Sequence, residues 1–153
     1  MISFEGTNHI GHFALTLGLL PALRDGVKQS GRNARVVNLS SAGHAFANVD
    51  FNDINFKKGR EFSPFISYGQ SKTANILFSI GLTRHFASEG IFSNALMPGV
   101  IMTPLLKKFT GEQKEADELE ANKSIEQGTS TTIWAAVAPE LDGIGGKYLV
   151  VFF

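Results

Sequence analysis

Two short apolar runs separated by a long helical pattern constrain the fold of this chain more than any other feature. Residues 35–41 (RVVNLSS) and residues 91–97 (IFSNALM) have the length and the apolar, partly β-branched content of buried strands. Between them, residues 67–88 have the apolar spacing of a long amphipathic helix, and Gly90 provides a stop. Strands that alternate with helices predict an α/β domain built on a parallel sheet.

The remaining segments extend the same pattern. The predicted regular elements are helices over residues 8–23, 67–88 and 124–137 and strands over residues 35–41, 91–97 and 147–153. Residues 25–31 are polar and contain glycine, which predicts a loop, and the glycines of residues 143–146 predict a turn. Residues 42–64 lack periodicity and form a long excursion of the kind often kept for function. Residues 110–121 are charged and are expected to form a surface helix or a lid.

Composition excludes several classes of protein. The 153 residues carry 14 Lys+Arg and 14 Asp+Glu, so no net charge favours nucleic acid or an anionic membrane as a partner. The chain has no cysteine, which excludes a disulfide framework, a thiolate metal site and a cysteine nucleophile. No apolar run approaches the ~20 residues of a membrane helix, and the N-terminus lacks the basic and apolar regions of a signal peptide. We therefore expect a single cytoplasmic domain.

Tyr68 and Lys72 are the most informative pair of residues. Side chains four apart lie on the same face of a helix, so the phenol and the ammonium are expected beside each other. A free tyrosine titrates near ~10 and is a weak acid at neutral pH, but a neighbouring ammonium favours the phenolate. A tyrosine in that setting can act as a general acid or base. The Y-x-x-x-K spacing alone is more often an ordinary solvated pair.

Three other features occur in order around this pair. Ser41 ends a predicted strand, where a hydroxyl can protrude at the carboxyl edge of a parallel sheet. Pro98-Gly99 ends the next strand, and Thr103 follows closely enough to hydrogen-bond an amide at that edge. Asn8 opens the first helix. Taken singly, these residues are more often a capped strand end, a plain turn and a helix cap, but their ordered occurrence together indicates a site.

The order of these motifs resembles the C-terminal half of the short-chain dehydrogenases/reductases, in the branch of the retinol dehydrogenases and the WW-domain oxidoreductase. The matching strings cover nearly the whole chain: TNHIGHFALT, RVVNLSSAGH, YGQSKTANILF, SNALMPGVIMTPL and SIEQGTSTTIWAAVAPELDGIGGKYL. The implied fold is the C-terminal part of a Rossmann-like, doubly wound parallel sheet, with about three strands and three main helices. On this resemblance, residues 1–153 are a single partial domain that lacks the N-terminal nucleotide-binding strands.

The resemblance implies a role for each matching residue. Tyr68 would exchange a proton with the substrate oxygen as general acid/base, and Lys72 would assist it and bind the nicotinamide ribose. Ser41, the second serine of its pair, would hydrogen-bond the substrate hydroxyl or carbonyl. Asn8 would support the lysine through water. The implied reaction interconverts an apolar, small-molecule alcohol and a carbonyl, with hydride carried by NAD or NADP.

The resemblance also assigns the turn after the second strand to cofactor binding. Pro98, Gly99, Ile101 and Thr103 would contact the nicotinamide carboxamide, beside Tyr68 and Lys72 at the ribose. The glycine-rich T-G-x-x-x-G-x-G turn that binds the pyrophosphate in this family is not in the sequence, and neither is the later N-N-A-G. The sequence therefore indicates NAD(P) chemistry without the means to hold the phosphates of the cofactor.

Two alternatives stay open at this point. The chain could be a catalytically inactive, truncated member of the family that acts as an interaction or assembly module, or an incomplete fragment of a full-length enzyme. The resemblance implies a homo-oligomer interface on the helices that begin at Asn8 and near Ser67. The first strand would present an unpaired edge, and the apolar residues 148–153 form a possible partner or aggregation surface.

Two groups of residues fit more than one interpretation. His9 and His12 lie three apart on a helix, but no clear third ligand accompanies them, so no metal site is predicted. Phe46, Phe62 and Phe65 in and beside the long excursion fit either an apolar substrate pocket or the core.

Overall fold

A computed structural model describes residues 4–101 and 123–150 of the chain. The helices are α1 (Gly11–Ser30), α2 (Pro64–Phe86) and α3 (Ile125–Val137), and the strands are β1 (Ala34–Leu39), β2 (Ile91–Met97) and β3 (Tyr148–Val150). A π-helical turn (Gly6–Ile10) leads into α1, and short 3₁₀ turns lie at Ala42–Phe46, Ala87–Glu89 and Pro139–Leu141. The predictions for residues 110–121 and for Thr103 lie outside the described residues.

The three strands form one parallel sheet in the order β1-β2-β3. Ala34 of β1 pairs with Ile91 of β2, and the register continues to Leu39 and Leu96. The carboxyl ends of β1 and β2 therefore meet at one edge, which is where parallel α/β folds build their sites. The sequence prediction of an α/β fold with a parallel sheet is confirmed.

α2 buries a stripe of small polar residues, with the apolar side chains of Phe78 and Leu82 buried beside it. Its N-terminus is capped by Ser63, whose Oγ accepts from the Ile66 amide, and Pro64 starts the first turn. Small polar residues then recur every fourth position and are buried or half-buried: Ser67, Ser71, Asn75, Ser79 and Thr83. Asn38 of β1 reaches this stripe, and its Nδ2 donates to the hydroxyls of Ser79 (2.9 Å) and Ser93 (3.2 Å).

The apolar core lies on the opposite face, between the sheet and α3. It consists of Leu96, Ala135, Ala138 and Leu141, with Val37 and Leu149 packed against it. α3 is started by a capping box in which Ser124 and Gln127 exchange side-chain-to-backbone hydrogen bonds. Small residues on α3 let the helix lie close to the strands.

The first helix is longer than the sequence predicts. A loop was expected over residues 25–31, but α1 continues to Ser30, so that expectation is wrong for residues 25–30. Gly31 ends the helix in the left-handed conformation (φ 65°), and its N–H donates to the Val27 carbonyl. Arg24, inside the added turn, forms a two-point ion pair with Glu89 beyond α2. Tertiary packing therefore overrides the weak helix propensity of this segment.

Several apolar side chains of the described residues face solvent. On α1, Leu15 is 59% exposed and Leu19 is 48% exposed, and on the edge strand β1, Leu39 is 47% exposed. Within the described ranges, β1 pairs with a strand on one side only. No helix among these residues combines the length and the apolar character needed to cross a membrane.

Candidate functional site

The two serines that follow β1, Ser40 and Ser41, make different hydrogen bonds. Ser40 is buried, and its Oγ donates to the backbone carbonyl of Lys72 in α2 (2.9 Å), which ties the end of β1 to the helix. Ser41 is half-buried, and its Oγ accepts from the amide of Gly43 (3.1 Å) as the cap of the 3₁₀ turn. An oxygen that accepts in this way still carries an O–H that can donate to a ligand. Of the two serines, Ser41 is therefore the one whose hydroxyl is not used to bind α2.

Gly43 brings this 3₁₀ turn against the ring of Tyr68. A Cβ atom at position 43 would lie 2.8 Å from Cε1 of Tyr68 and 3.5 Å from Oγ of Ser41. The Ser41 hydroxyl and the Tyr68 ring therefore flank the same point. Gly69 allows the approach from the other side, because a Cβ there would lie 2.8 Å from the Gly43 carbonyl oxygen.

Lys72 lies beside Tyr68, as the four-residue spacing predicts. Its Nζ is 5.4 Å from the centre of the Tyr68 ring and donates to the carbonyl of Leu39 at the end of β1 (3.2 Å). Burial lowers the pKa of Lys72 from its ordinary value, because a charged amine loses hydration in this position. The ammonium is therefore held between the strand end and the phenol.

Asn8 connects to Lys72 through protein atoms. Its Nδ2 donates to Oγ of Ser71 (3.0 Å), and its backbone carbonyl accepts from Nδ2 of Asn75 (3.0 Å). The same Asn75 nitrogen donates to the Leu39 carbonyl (3.0 Å), the group that also accepts from Lys72. Asn8 lies in the π-helical turn before α1, a local geometry frequent at functional sites.

The turn after β2 contacts two residues that lie more than twenty positions later in the chain, Lys123 and Gly128. Gly99 adopts a left-handed φ of 99°, and a Cβ there would lie 2.7 Å from Cδ of Lys123. Ile101 forms an isolated parallel bridge with Lys123, and its side chain packs directly on Gly128 of α3. Pro98, Gly99 and Ile101 thus follow the carboxyl end of β2.

Sequence reasoning missed three residues of this region. Asn75 joins Asn8 to the carbonyl shared with Lys72, and its position one turn after Ser71 on the polar stripe was the available signal. His44 and Tyr148 contact each other across the sheet, with ring centres 4.7 Å apart. That second contact joins residues 104 positions apart in the chain, so no local pattern indicates it.

The long excursion is organised by one arginine. The Nη2 of Arg60 donates to the backbone carbonyl of Asp53 (2.9 Å) and to Oε1 of Gln70 in α2 (3.2 Å). Its guanidinium also forms an ion pair with Asp50 (3.5 Å) and lies 4.1 Å from the centre of the Phe56 ring. The excursion is therefore fastened to the helix that carries Tyr68.

The phenylalanines of the excursion are not core residues. Phe46 is 58% exposed, Phe62 is 42% exposed and Phe65 is 51% exposed. The rings of Phe46 and Phe65 contact each other at 4.7 Å between centres. Phe65 precedes Tyr68 by three positions on α2, and Phe46 follows Gly43 by three positions on the 3₁₀ turn. The aromatic pair therefore extends the contact between the 3₁₀ turn and α2 that Gly43 and Tyr68 form.

His9, in the π-helical turn before α1, takes part in packing, whereas His12 is exposed. Nδ1 of His9 contacts Oδ1 of Asn75 (3.1 Å), and its ring lies edge-on to Phe78. Among residues 4–101 and 123–150, no group of three or more His, Cys, Asp or Glu side chains is placed to hold a metal ion. His9 thus supports the asparagine that joins Asn8 to Lys72.

A parallel sheet with helices, and a tyrosine–lysine pair at its carboxyl edge, place the chain among the Rossmann-like α/β proteins. The chain is 41% identical over 149 residues to polyprenol dehydrogenase of Mus musculus, covering 94% of this chain and 44% of that protein. It is 39% identical over 149 residues to short-chain dehydrogenase TIC 32 B, chloroplastic, of Brassica napus, covering 93% and 46%. The chain therefore belongs to the short-chain dehydrogenase/reductase family. It spans about half the length of the curated relatives it matches.

Solved structures agree on the fold. The gluconate 5-dehydrogenase from Burkholderia cenocepacia J2315, in complex with NADP and tartrate, superposes with a TM-score of 0.69 at 19% identity, covering 95% of this chain and 52% of that one. No protein-family model matches the chain.

Proposed function

We propose that this chain is the proton-transfer part of an NAD(P)-dependent oxidoreductase that interconverts an apolar alcohol and a carbonyl. One observation carries the proposal. The Lys72 ammonium lies between the Tyr68 ring and the carbonyl of Leu39 at the carboxyl edge of the sheet, and the Ser41 hydroxyl and the Tyr68 ring both lie close to Gly43. That is the arrangement needed to hold a substrate oxygen and move a proton to it.

Each group has a distinct task in this proposal. In the reductive direction, the phenolic proton of Tyr68 passes from Oη to the carbonyl oxygen, and the nearby Lys72 ammonium favours the phenolate that is left. The Ser41 O–H donates to the same oxygen and orients it, while its Oγ stays fixed by the Gly43 amide. Asn8 and Asn75 hold the strand end to which Lys72 binds.

The residues of the chain fit one end of a nicotinamide cofactor, which supplies or accepts the hydride when bound. An ammonium has three N–H donors, and the bond from Lys72 to Leu39 uses one of them, so ribose hydroxyls have donors to bind. Pro98, Gly99 and Ile101 follow the carboxyl end of the adjacent strand, and their contact with the nicotinamide carboxamide, together with that of Thr103, is part of the proposal. The glycines near position 145 form the turn before β3 and do not lead into a helix, so within residues 4–101 and 123–150 they offer no comparable fit for the pyrophosphate.

An apolar substrate is supported by the aromatic pair beside the phenol. The exposed rings of Phe46 and Phe65 contact each other, and Phe65 lies three positions before Tyr68 on α2, so the pair offers apolar surface on the side of the helix that carries Tyr68. The relative from Mus musculus is named a polyprenol dehydrogenase, which is consistent with a long apolar alcohol. The proposal includes a cytoplasmic location, with either NAD or NADP as the hydride carrier.

The experiment that tests this function starts from binding. The purified chain is titrated with NADPH and with NADH while the nicotinamide fluorescence is followed, and then assayed for reduction of a long-chain aliphatic aldehyde. We expect saturable binding that weakens in Lys72→Met, and turnover that falls by about 10²–10⁴-fold in Tyr68→Phe without loss of binding. Lys28→Met, on the exposed last turn of α1, is the matched control for the lost charge. No saturable signal with either nucleotide would rule out catalysis by this chain alone.

A second candidate function, an interaction module, is favoured by the exposed apolar face of α1. Leu15 and Leu19 lie four apart on one face, where α1 would pair with a second copy of the chain. Light scattering tests this candidate, because an assembly through α1 should revert to monomer in Leu15→Lys. A strict monomer before any substitution would remove it.

A further inference from the structure

The aromatic contact between β3 and the loop after β1 has no part in the mechanism above. His44 follows Ser41 by three positions, and both its backbone N–H (3.1 Å) and its ring Nδ1 (2.7 Å) contact the carbonyl oxygen of Ser41. A carbonyl oxygen can only accept, so Nδ1 carries the proton in this contact. The orientation of the imidazole is therefore coupled to the backbone of Ser41.

Tyr148 lies on the other side of that imidazole. Its ring meets the His44 ring at 63° with 4.7 Å between centres, the edge-to-face geometry that aromatic pairs prefer. Tyr148 is fixed by strand pairing, because it lies opposite Ala95 and because the neighbouring Lys147 amide donates to Oδ1 of Asn94 (2.9 Å). The third strand thus holds the Tyr148 ring in place, and the His44 imidazole packs against that ring.

The electrostatic environment of Tyr148 includes Tyr68. The pKa of Tyr148 is raised above its ordinary value, first by burial and second by the charge of Tyr68. Its hydroxyl is buried, and no atom of the described residues hydrogen-bonds to it. Buried hydroxyls normally have a hydrogen-bond partner, so we take the contact of the ring with His44, and not a bond from the hydroxyl, as the interaction that positions this half-buried side chain.

We infer that His44 and Tyr148 are positioning residues for Ser41: the Tyr148 ring holds the His44 imidazole against the Ser41 carbonyl, which fixes the direction of the Ser41 hydroxyl. The inference rests on the proposed role of Ser41, but its geometry is independent of any cofactor. On this inference, a residue of β3 determines the orientation of the serine that follows β1. β3 is the strand farthest from β1 in the described sheet. Neither residue needs to touch the substrate.

Amide hydrogen exchange in the 153-residue chain, followed by NMR, tests the inference directly. The Gly43 amide donates to the Ser41 hydroxyl oxygen, so its protection from exchange reports the position of that hydroxyl. We expect Tyr148→Leu and His44→Leu to speed exchange at Gly43 by about tenfold, the effect of losing one hydrogen bond of ordinary strength. Tyr148→Phe, which keeps the ring, should retain the protection. His44→Asn, which keeps an N–H donor near the position of Nδ1, should also retain most of it.

The exchange rates of two other amides distinguish a local effect on Ser41 from a general loss of stability. The Ala95 amide donates to the Lys147 carbonyl (2.9 Å) and reports the pairing of β3, and the Ser40 amide donates to the Leu96 carbonyl (2.7 Å) and reports the pairing of β1. Both should keep their protection in the leucine variants. In the unaltered chain, the ¹⁵N shifts of His44 should show a proton on Nδ1.

Three results would overturn the inference. Equal acceleration at all three amides would show a structural role only, and unchanged protection of Gly43 in both leucine variants would show no coupling. An equal effect of Tyr148→Phe and Tyr148→Leu would assign the effect to the hydroxyl instead of the ring. A failed nucleotide titration would remove the proposed function while leaving the exchange result intact, so the two failures are distinguishable.

Discussion

Lys72 donates from its side-chain Nζ to the backbone carbonyl of Leu39, 3.2 Å away at the carboxyl end of β1. Burial lowers the pKa of Lys72, so the protonated amine costs more in the folded chain than in the unfolded chain. That cost is fully present below the folded-state pKa and disappears as the pH rises through the ordinary value of 10.5. The contribution of Lys72 to stability should therefore increase with pH over this window.

The Lys72→Met variant tests this relationship. We expect the unfolding free energy of the unaltered chain to rise relative to that of the variant between neutral pH and about 10.5, as the amine loses its proton in both states. Urea unfolding followed by circular dichroism measures both values. Lys28→Met, which removes an exposed amine, should show no such trend relative to the unaltered chain. A pH-independent difference for Lys72→Met would contradict the burial of the ammonium.

The pKa of Tyr148 should depend on the presence of Tyr68. The chain has 2 Tyr, so Tyr68→Phe leaves Tyr148 as the single phenol. Because the charge of Tyr68 is the second cause of the raised pKa of Tyr148, this variant should lower that pKa, while burial, the first cause, keeps it above 10.0. The ¹³Cζ shift of Tyr148, followed against pH in both proteins, measures the change. An identical midpoint in the two proteins would place the phenols too far apart to interact.

Asn38 should contribute strongly to stability although it is polar. It is buried, and its amide nitrogen donates to the hydroxyls of Ser79 and Ser93, which joins β1 to α2 and β2. Asn38→Ala leaves those hydroxyls without their donor, and we expect a loss of about 1–3 kcal/mol in the free energy of unfolding. Asn48→Ala, at an exposed asparagine of the excursion, should stay within about 0.5 kcal/mol. Comparable losses for the two variants would argue against the buried polar layer.

The sequence was sufficient for those parts of the fold that depend on local pattern. β2 runs from Ile91 to Met97 as predicted, because its apolar run has sharp limits at Gly90 and at Pro98-Gly99. The placement of Lys72 beside Tyr68 also followed from helical spacing alone. Each of these features needs only neighbours within a few residues.

The rest of the site depends on contacts between distant segments. Asn75 acts through groups 67 and 36 positions away in the chain, and Tyr148 meets His44 only after the strands have paired. Most buried residues of α2 are polar, with Phe78 and Leu82 as the large apolar exceptions, so apolar periodicity was a weak guide to which side of the helix is buried. The length of α1 likewise depended on tertiary contacts, because Arg24 pairs with Glu89 from another element.

The corrected end of α1 yields a pair of substitutions with opposite effects. Gly26 lies inside the helix, and a Cβ there meets no atom within 4 Å, so Gly26→Ala should raise the free energy of unfolding by about 0.5–1 kcal/mol. Gly31 has a left-handed φ of 65°, so Gly31→Ala should lower it by about 1 kcal/mol.

Thermal and urea unfolding of the two variants measure both changes against the unaltered chain. If residues 25–31 formed the loop that the sequence predicts, Gly26→Ala would gain no helix propensity and the expected stabilisation would be absent. The opposite signs also serve as mutual controls, since both substitutions add the same methyl group within five residues of each other. A stabilisation confined to Gly26→Ala therefore locates the helix end between the two glycines, in agreement with the end of α1 at Ser30 and its left-handed cap at Gly31.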